Sequence, residues 1–214
     1  MRIFSGRMFC EPLRSSKRNK SLIQSFTIDR EQESLERNRK EHPDIIIGLE
    51  DYLKRAAWEE DENGYTKVYV IKTYLSGEVV AYFALKAGMI SYYERIPDEV
   101  IKNGINAVTE VLPGIEISHF AVNDEYRRRH GKGGKPLSHL GEYLYPTFIY
   151  PIIERTAALV GVSHLYLYAA GDEELVNYYR NTYGFEVNKS RRIVAVKPFY
   201  DDGCTFMYRS IKPV

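Results

Sequence analysis

The feature that most constrains the fold is a basic, glycine-rich stretch between an apolar strand and a long helical region. The strand is predicted over residues 115–122, and Arg-Arg-His-Gly-Lys-Gly follows at 128–133. The two glycines of this Arg-x-x-Gly-x-Gly spacing let main-chain N–H groups turn toward an anion without a Cβ in the way. A helix that begins after such a loop adds the positive end of its dipole. The stretch therefore indicates a diphosphate-binding loop, although basic glycine-rich loops also occur as plain solvated turns.

Two common nucleotide-binding motifs do not fit this stretch. A Walker loop requires Gly, four residues and then Gly-Lys-Ser/Thr, whereas Gly134-Lys135 is followed by Pro136. A dinucleotide-binding fingerprint requires a third glycine at the start of a helix, and the residues after Gly133 run into the same Lys-Pro pair. The sequence therefore disfavours both of these classes of nucleotide-binding protein.

Length and composition indicate one globular domain. The chain has 214 residues, of which 44% are hydrophobic, and its net charge is +1, so any binding of a polyanion must depend on a local patch. No apolar run approaches the roughly 18 residues that a membrane-spanning helix needs. Cys10 and Cys204 lie far apart, which argues against a zinc site or a disulfide scaffold and fits a reducing compartment. A cytoplasmic protein without a membrane or metal partner is expected.

The first twenty residues are strongly basic. They contain one acidic residue, Glu11, and six basic ones: Arg2, Arg7, Arg14, Lys17, Arg18 and Lys20. An Arg- and Ser-rich, acid-poor start can be a transit peptide, but this one has no apolar secretory core. We expect residues 1–21 to form a solvated basic arm and residues 22–214 to form the folded domain.

Hydrophobic periodicity predicts a single α/β domain with a mixed sheet. Leu49, Tyr52 and Leu53 begin a helical stripe that Asn63-Gly64 ends, and Ser76-Gly77 joins two β-rich segments as a hairpin. Strands are predicted over 22–28, 66–75, 78–87, 115–122, 165–169, 192–196 and 204–211, and helices over 31–40, 49–57, 90–109, 146–160 and 173–182.

The order of these elements resembles the GNAT superfamily of acyl-CoA N-acyltransferases over about residues 22–211. The resemblance depends on the strand ending Phe-Ala-Val at 120–122, the glycine loop, a long helix, a strand, and Tyr-Arg-Asn-Thr-Tyr-Gly-Phe at 179–185. Residues 48–53, 79–85 and 117–122 are similar to the branch of aminoacyl-tRNA-acetylating toxins. This resemblance implies a single GNAT-like domain whose mixed, mostly antiparallel sheet is splayed at the acyl-CoA site and flanked by helices.

The chain departs from the family pattern, and two of the departures bear directly on the site. The family places three residues between the tyrosine and Gly-Phe, whereas four residues separate Tyr179 from Gly184. Either a one-residue bulge restores the register, or Tyr178 or Tyr183 takes the role of Tyr179. The Lys135-Pro136 pair also interrupts the helix that normally begins directly after the loop.

The resemblance implies acetyl-CoA as co-substrate and a phenol as general acid. Tyr179 is the candidate that protonates the departing thiolate. Main-chain groups near Phe120, Ala121 and Val122 are expected to hold the pantetheine and the thioester carbonyl. The predicted diphosphate-binding residues are Arg128, Arg129, Gly131, Lys132, Gly133 and Gly134.

Two candidates for the general base lie on the strand before the loop. Glu116 and His119 are on opposite faces by the two-residue period of a strand, so at most one of them faces the substrate. Histidine has a suitable pKa for this task, but a lone strand histidine is more often structural. Water is the third alternative.

The expected reaction is transfer of an acetyl group to a primary amine by direct attack on the thioester. The sequence does not decide whether the acceptor is a small amine, a protein or aminoacyl-tRNA. The basic stretches favour tRNA, whereas the near-zero net charge disfavours it. A non-catalytic acyl-CoA-binding regulatory module on the same fold is the alternative. A homodimer is also left open.

Overall fold

The computed structural model describes residues 3–5, 7–41, 44–92, 110–170, 173–188, 193–195 and 203–211. They belong to two compact units. The first unit comprises Met1–Lys86 and His119–Pro151, and the second comprises Ala87–Ser118 and Ile152–Val214. Among the described residues, no helix is both long and apolar enough to cross a membrane.

The strands of the first unit form an antiparallel series in chain order. They are β1 (Ile3–Ser5), β2 (Met8–Pro12), β3 (Lys67–Thr73) and the first part of β4 (Val79–Tyr92). Gly77 takes a φ of +71° in the turn between β3 and β4, a conformation that glycine adopts at little cost. The hairpin predicted from the sequence is therefore confirmed.

Short helices complete the first unit. They are α1 (Arg18–Leu22), α2 (Gln32–Glu41), α3 (Gly48–Asp51), α4 (Ala57–Glu62), α5 (Asp124–Arg129) and α6 (Leu140–Leu144). A π-helical segment, Tyr52–Ala56, joins α3 to α4, and another, Tyr145–Ile149, leads from α6 into α7 (Tyr150–Val160). Turns of 3₁₀-helix lie at Leu13–Ser15, Ile23–Ser25 and Asp29–Glu31. Leu53 and Ala57 of the predicted stripe are fully buried beside Phe26 and Tyr82.

A carboxylate caps the start of α3. The two oxygens of Glu31 accept the backbone N–H groups of Leu49 (3.0 Å) and Glu50 (2.9 Å). Gly48 has a φ of +69°, and a Cβ there would lie 2.7 Å from Oε2 of Glu31. Glycine at this position therefore lets the carboxylate reach the helix end, where negative charge is favourable.

The amino-terminal segment is part of the first unit, which corrects two predictions. β2 pairs with β3 in the register Cys10↔Ile71, and Cys10, Leu13 and Asn19 are fully buried. The expectation of a solvated arm is therefore wrong over residues 7–21. The strand predicted over 22–28 is also wrong, because buried Ile23 and Phe26 are three residues apart, as in a helical turn.

The second unit contains both parallel and antiparallel strand pairs. Its part of β5 (Glu110–Val122) runs parallel to β6 (His164–Ala169). Strand β9 (Thr205–Ser210) pairs antiparallel with β6 on one side and with β7 (Glu186–Val187) on the other. Strand β8 (Ile193–Ala195) pairs antiparallel with the end of β4. Helix α8 spans Glu173–Tyr183. The α/β class and the mixed, mostly antiparallel pairing are confirmed.

One predicted helix falls mostly outside the described residues. Residues 90–92 of the stretch 90–109 belong to β4 rather than to a helix, and residues 93–109 lie outside the described part of the chain. The ends of the predicted strand 192–196 also lie outside it.

Candidate functional site

A buried asparagine fixes the end of β5, directly after Phe120, Ala121 and Val122. The N–H and side-chain amide of Asn123 donate to the carbonyls of Val80 and Val79, both at 2.8 Å. Its Oδ1 accepts the N–H of Glu125 at 3.1 Å, as a helix N-cap does. Sequence analysis missed this residue, although Asn followed by Asp-Glu is a typical start of a helix.

Arg128 and Arg129 lie on α5, so their predicted placement in the loop is wrong. The Asn123 cap and the acidic first turn favour a helix, and Glu125 pairs with both arginines at i+3 and i+4. The N–H groups of His130 and Gly131 donate to the carbonyls of Tyr126 (3.1 Å) and Arg128 (3.4 Å). These two N–H groups are therefore engaged by the helix end rather than by the predicted anion site.

The glycines that follow close a tight turn. Gly133 and Gly134 have φ values of +61° and +74°, and the N–H of Lys135 donates to the carbonyl of Lys132 at 3.1 Å. Positive φ at both central residues is the pattern of a type I′ turn. A Cβ on Gly131 would collide with the carbonyl oxygen of Lys135. Within the described chain, the N–H groups of Gly133 and Gly134 have no hydrogen-bond acceptor.

Carboxylates hold both arginines of α5. Arg128 pairs with Asp29 and, at 2.7 Å, with Glu125; Arg129 pairs with Glu125 (2.7 Å) and Glu78 (3.0 Å). Hydrogen bonds from Arg129 and Arg128 lower the pKa of Glu125. We call these five residues the surface ion-pair network. It neutralises part of the positive charge that the sequence places next to the turn.

A groove of about 590 Å³ lies beside the turn. Its lining includes the basic side chains of Arg30, Arg127, Arg128 and Lys135 and the carboxylates of Asp29 and Asp124. Asp124 is occupied by Arg127 (2.8 Å) and by the N–H of Asp29 (3.0 Å). Among the described residues, Arg30 and Lys135 have no carboxylate partner. The groove can therefore attract an anion.

His119 stacks on a tyrosine of the π-helical segment. The rings of His119 and Tyr52 are 3.5 Å apart and inclined by 6°, and the hydroxyl of Tyr52 donates to Glu60 at 3.0 Å. Burial and then the charge of Lys86 lower the pKa of His119 to about 3. An imidazole with so low a pKa is a weak base near neutral pH. This geometry favours Glu116 or water over His119 as the base.

Glu116 lies in the second unit as a buried carboxylate on β5. Tyr166 is its register partner on β6 and is also buried, so the phenol lies beside the carboxylate. Burial, the negative charge of Glu116 and hydrogen bonding to that carboxylate raise the pKa of Tyr166 well above that of a free phenol. The phenol proton therefore stays on Tyr166 over the physiological range of pH.

The candidate acid belongs to an aromatic cluster of the second unit. The hydroxyls of Tyr178 and Tyr183 are 3.0 Å apart, and the ring of half-buried Tyr179 contacts those of Tyr183 and Phe185 at 5.8 and 6.0 Å. Helix α8 is regular through Tyr183, and Gly184 ends it with a φ of +71°. The bulge considered from the sequence is therefore absent from α8, all of which is described.

The architecture is similar to solved structures that include the toxin AtaT. No family model and no curated protein matches the sequence. A Tyr-to-Phe variant of KacT matches with a TM-score of 0.58 and 13% identity over 96% of this chain and 95% of that one. A Tyr-to-Phe variant of the toxin AtaT, bound to the C-terminus of the antitoxin AtaR and to acetyl-CoA, gives 0.55 and 13% over 96% and 94%.

The chain has a GNAT fold. AtaT complexed with acetyl-methionyl-tRNAfMet also matches, with a TM-score of 0.52 and 16% identity over 88% of this chain and 93% of that one. The resemblance inferred from the sequence is therefore confirmed at the level of the fold. Of the predicted GNAT site residues, His119, Phe120–Val122 and the turn belong to the first unit, whereas Glu116 and Tyr179 belong to the second.

Proposed function

We propose that this protein is an acetyl-CoA-dependent N-acetyltransferase acting on a primary amine. The observation that carries the proposal is the fold, which matches a complex of AtaT, AtaR and acetyl-CoA with a TM-score of 0.56 over 95% of the chain. The groove beside the turn supports it, because basic side chains and main-chain N–H groups without acceptors are what a diphosphate requires.

The coenzyme is assigned to the first unit. Arg30 and Lys135 supply positive charge to the groove. Gly134, which also lines the groove, and Gly133, which precedes it in the turn, supply N–H donors for phosphate oxygens. The main chain of Phe120–Val122, held by Asn123, is assigned to the pantetheine and the thioester carbonyl. This assignment keeps the glycine turn of the sequence analysis and moves the contribution of Arg128 from its N–H group to its side chain.

The reaction needs one base and one acid. The acceptor ammonium first loses a proton to Glu116 or to water. The neutral amine then attacks the thioester carbon, so that a C–N bond forms, the C–S bond breaks and the amide nitrogen releases its second proton to water. Tyr179 stays the candidate that protonates the departing thiolate, because the alternatives Tyr178 and Tyr183 contact each other through their hydroxyls. The phenol then regains its proton from water. In this scheme His119, neutral and stacked on Tyr52, does not accept a proton.

We assign aminoacyl-tRNA as the acceptor class. AtaT, a structural neighbour, is complexed with acetyl-methionyl-tRNAfMet. Within the described chain, the first unit carries basic side chains without a carboxylate partner for phosphate contacts, namely Lys17, Arg18, Arg30, Lys132 and Lys135. Because residues 8–22 belong to the folded unit, their contribution is tested by substituting Lys17 and Arg18 rather than by deleting the segment.

A matched pair of glycine variants tests the coenzyme site. Gly133 and Gly64 both have positive φ and open space around the position of a Cβ, so aspartate there produces similar strain. Gly133→Asp adds a carboxylate beside the diphosphate, and we expect acetyl-CoA affinity to fall at least ~10-fold by calorimetry. Gly64→Asp should leave it unchanged. Equal affinities in the two variants would contradict the assignment.

Three phenylalanine variants test the acid. Tyr179→Phe should lower kcat by about 10²-fold with little change in the KM for acetyl-CoA, because the lost proton donor acts in the transition state. Tyr178→Phe and Tyr183→Phe, which break the mutual hydroxyl contact, should affect stability more than kcat. A loss confined to one of those two variants would reassign the acid, and three unaffected variants would remove the phenol from the mechanism.

A further inference from the structure

The parallel ladder between β5 and β6 ends at a buried polar pair. It consists of Gly114↔His164, Ile115↔Leu165 and Glu116↔Tyr166. Glu116 is 6% exposed and Tyr166 is 3% exposed. Both strands continue beyond this pair, so Glu116 and Tyr166 lie where their pairing stops. A carboxylate and a phenol therefore occupy a buried place in the sheet, where apolar side chains are the usual choice.

Two glycines make room for this phenol. A Cβ on Gly88, in β4, would collide with the hydroxyl oxygen of Tyr166, and a Cβ on Gly114 would lie 2.9 Å from its Cε1. The main chain of Met89, the residue after Gly88, interacts with the same hydroxyl. The phenol is thus enclosed by β4 and β5, beside Glu116. All five groups belong to the second unit.

We propose that Tyr166 is a positioning residue that holds the Glu116 carboxylate ready to accept a proton from the acceptor amine. This inference rests on the proposed acetyltransferase function. One proton moves from the ammonium to Glu116, and the phenol proton remains on Tyr166 throughout. The raised pKa of Tyr166 supports this role, because a phenol that does not ionise keeps donating its hydrogen bond. Glycine at position 88 is part of this arrangement, since a side chain there would displace the Tyr166 hydroxyl.

Steady-state kinetics of Tyr166→Phe test the role. Because the substitution removes a hydrogen bond to a charged group, kcat should fall by about ten- to a hundredfold. The KM values for acetyl-CoA and for the amine should stay unchanged. Tyr168→Phe is the matched control, because Tyr168 lies two residues along the same strand and its ring is 6.3 Å from that of Tyr166. A kcat for Tyr166→Phe within twofold of the wild type overturns the proposal.

The Gly88→Ala substitution provides a second, coupled test. Alone it should lower kcat as Tyr166→Phe does, because its methyl group displaces the hydroxyl. In the Tyr166→Phe background it should lower kcat much less, since the hydroxyl it collides with is gone. Non-additivity of this kind measures the coupling of the two positions. Fully additive losses would mean that Gly88 and Tyr166 act through general packing, and would contradict the proposed role of Gly88 in making room for the Tyr166 hydroxyl.

An amide resonance separates this inference from the proposed function. The Met89 N–H should change its chemical shift and exchange faster with solvent in Tyr166→Phe, and should also shift in Glu116→Gln. Both changes are measurable in the full chain without any turnover. A wild type that binds acetyl-CoA but acetylates no amine overturns the proposed function. A Met89 amide that is unaffected by both substitutions overturns the Tyr166–Glu116 pair itself.

Discussion

Two charge networks in the first unit use the same chemistry at opposite degrees of burial. In the buried triad, Lys72 donates to Glu11 and to Asn19 (2.8 Å), and Asn19 donates to Glu11 (3.2 Å). The Lys72 and Glu11 side chains are 8% and 1% exposed, whereas Arg128 and Asp29 of the surface ion-pair network are 44% and 54% exposed. The first network therefore stabilises the fold by joining β2 and α1 to β3, whereas the second holds its arginines at the surface, where a ligand can compete with the carboxylates.

Breaking the buried triad should have the largest effect on stability. Lys72→Met leaves Glu11 without its cation, and removing one partner of a buried ion pair costs about 3–5 kcal/mol. We expect the free energy of unfolding in urea to fall by that order. The double variant Glu11→Gln with Lys72→Met should recover much of the loss. A single variant as stable as the wild type would contradict the division between the two networks.

Acid should act on the buried triad. Burial alone would raise the pKa of Glu11, but hydrogen bonds from Lys72 and Asn19 outweigh it and lower the pKa below its usual value of 4.5. The stability this group contributes is therefore present above pH 4.5 and is lost as the pH falls through the lower pKa of the folded state. We expect Glu11→Gln to flatten this acidic limb of stability against pH; an unchanged slope would contradict the assignment.

Neutralising the surface network should have the smallest effect on stability and a measurable one on binding. Glu125→Gln releases Arg128, which lines the groove, from one of its two carboxylates. Acetyl-CoA affinity at low salt should rise about two- to fivefold, with the melting temperature unchanged. Glu142→Gln, which breaks an exposed contact with His139, is the control. A weaker affinity for Glu125→Gln would show that Glu125 orients Arg128 for binding rather than competing for it.

Sequence reasoning succeeded where the information was local. The hairpin around Gly77, the stripe at Leu53 and Ala57 and the end of α8 at Gly184 follow from periodicity and turn chemistry, and the structure confirms each of them. The amino-terminal arm was wrong because counting charges does not show that Glu11 is paired with Lys72, which lies 61 residues away.

The site shows the same contrast. The glycine turn was recognisable from its spacing, but the helical placement of Arg128 depends on the Asn123 cap and on Glu125. The meeting of Tyr166 with Glu116 depends on the register of two strands. No local pattern encodes that register, so the phenol beside the candidate base could not be found from the sequence.

Acetyl transfer to a charged tRNA tests the central claim most directly. Purified protein is incubated with acetyl-CoA labelled in the acetyl group and with aminoacyl-tRNA, deacylated tRNA or a panel of small amines, and both labelled product and free coenzyme A are measured. The account predicts that label appears on the α-amino group of aminoacyl-tRNA, with one coenzyme A released for each acetyl group and no label on deacylated tRNA. Protein that binds acetyl-CoA but labels none of these amines would contradict it and identify a non-catalytic acyl-CoA-binding module.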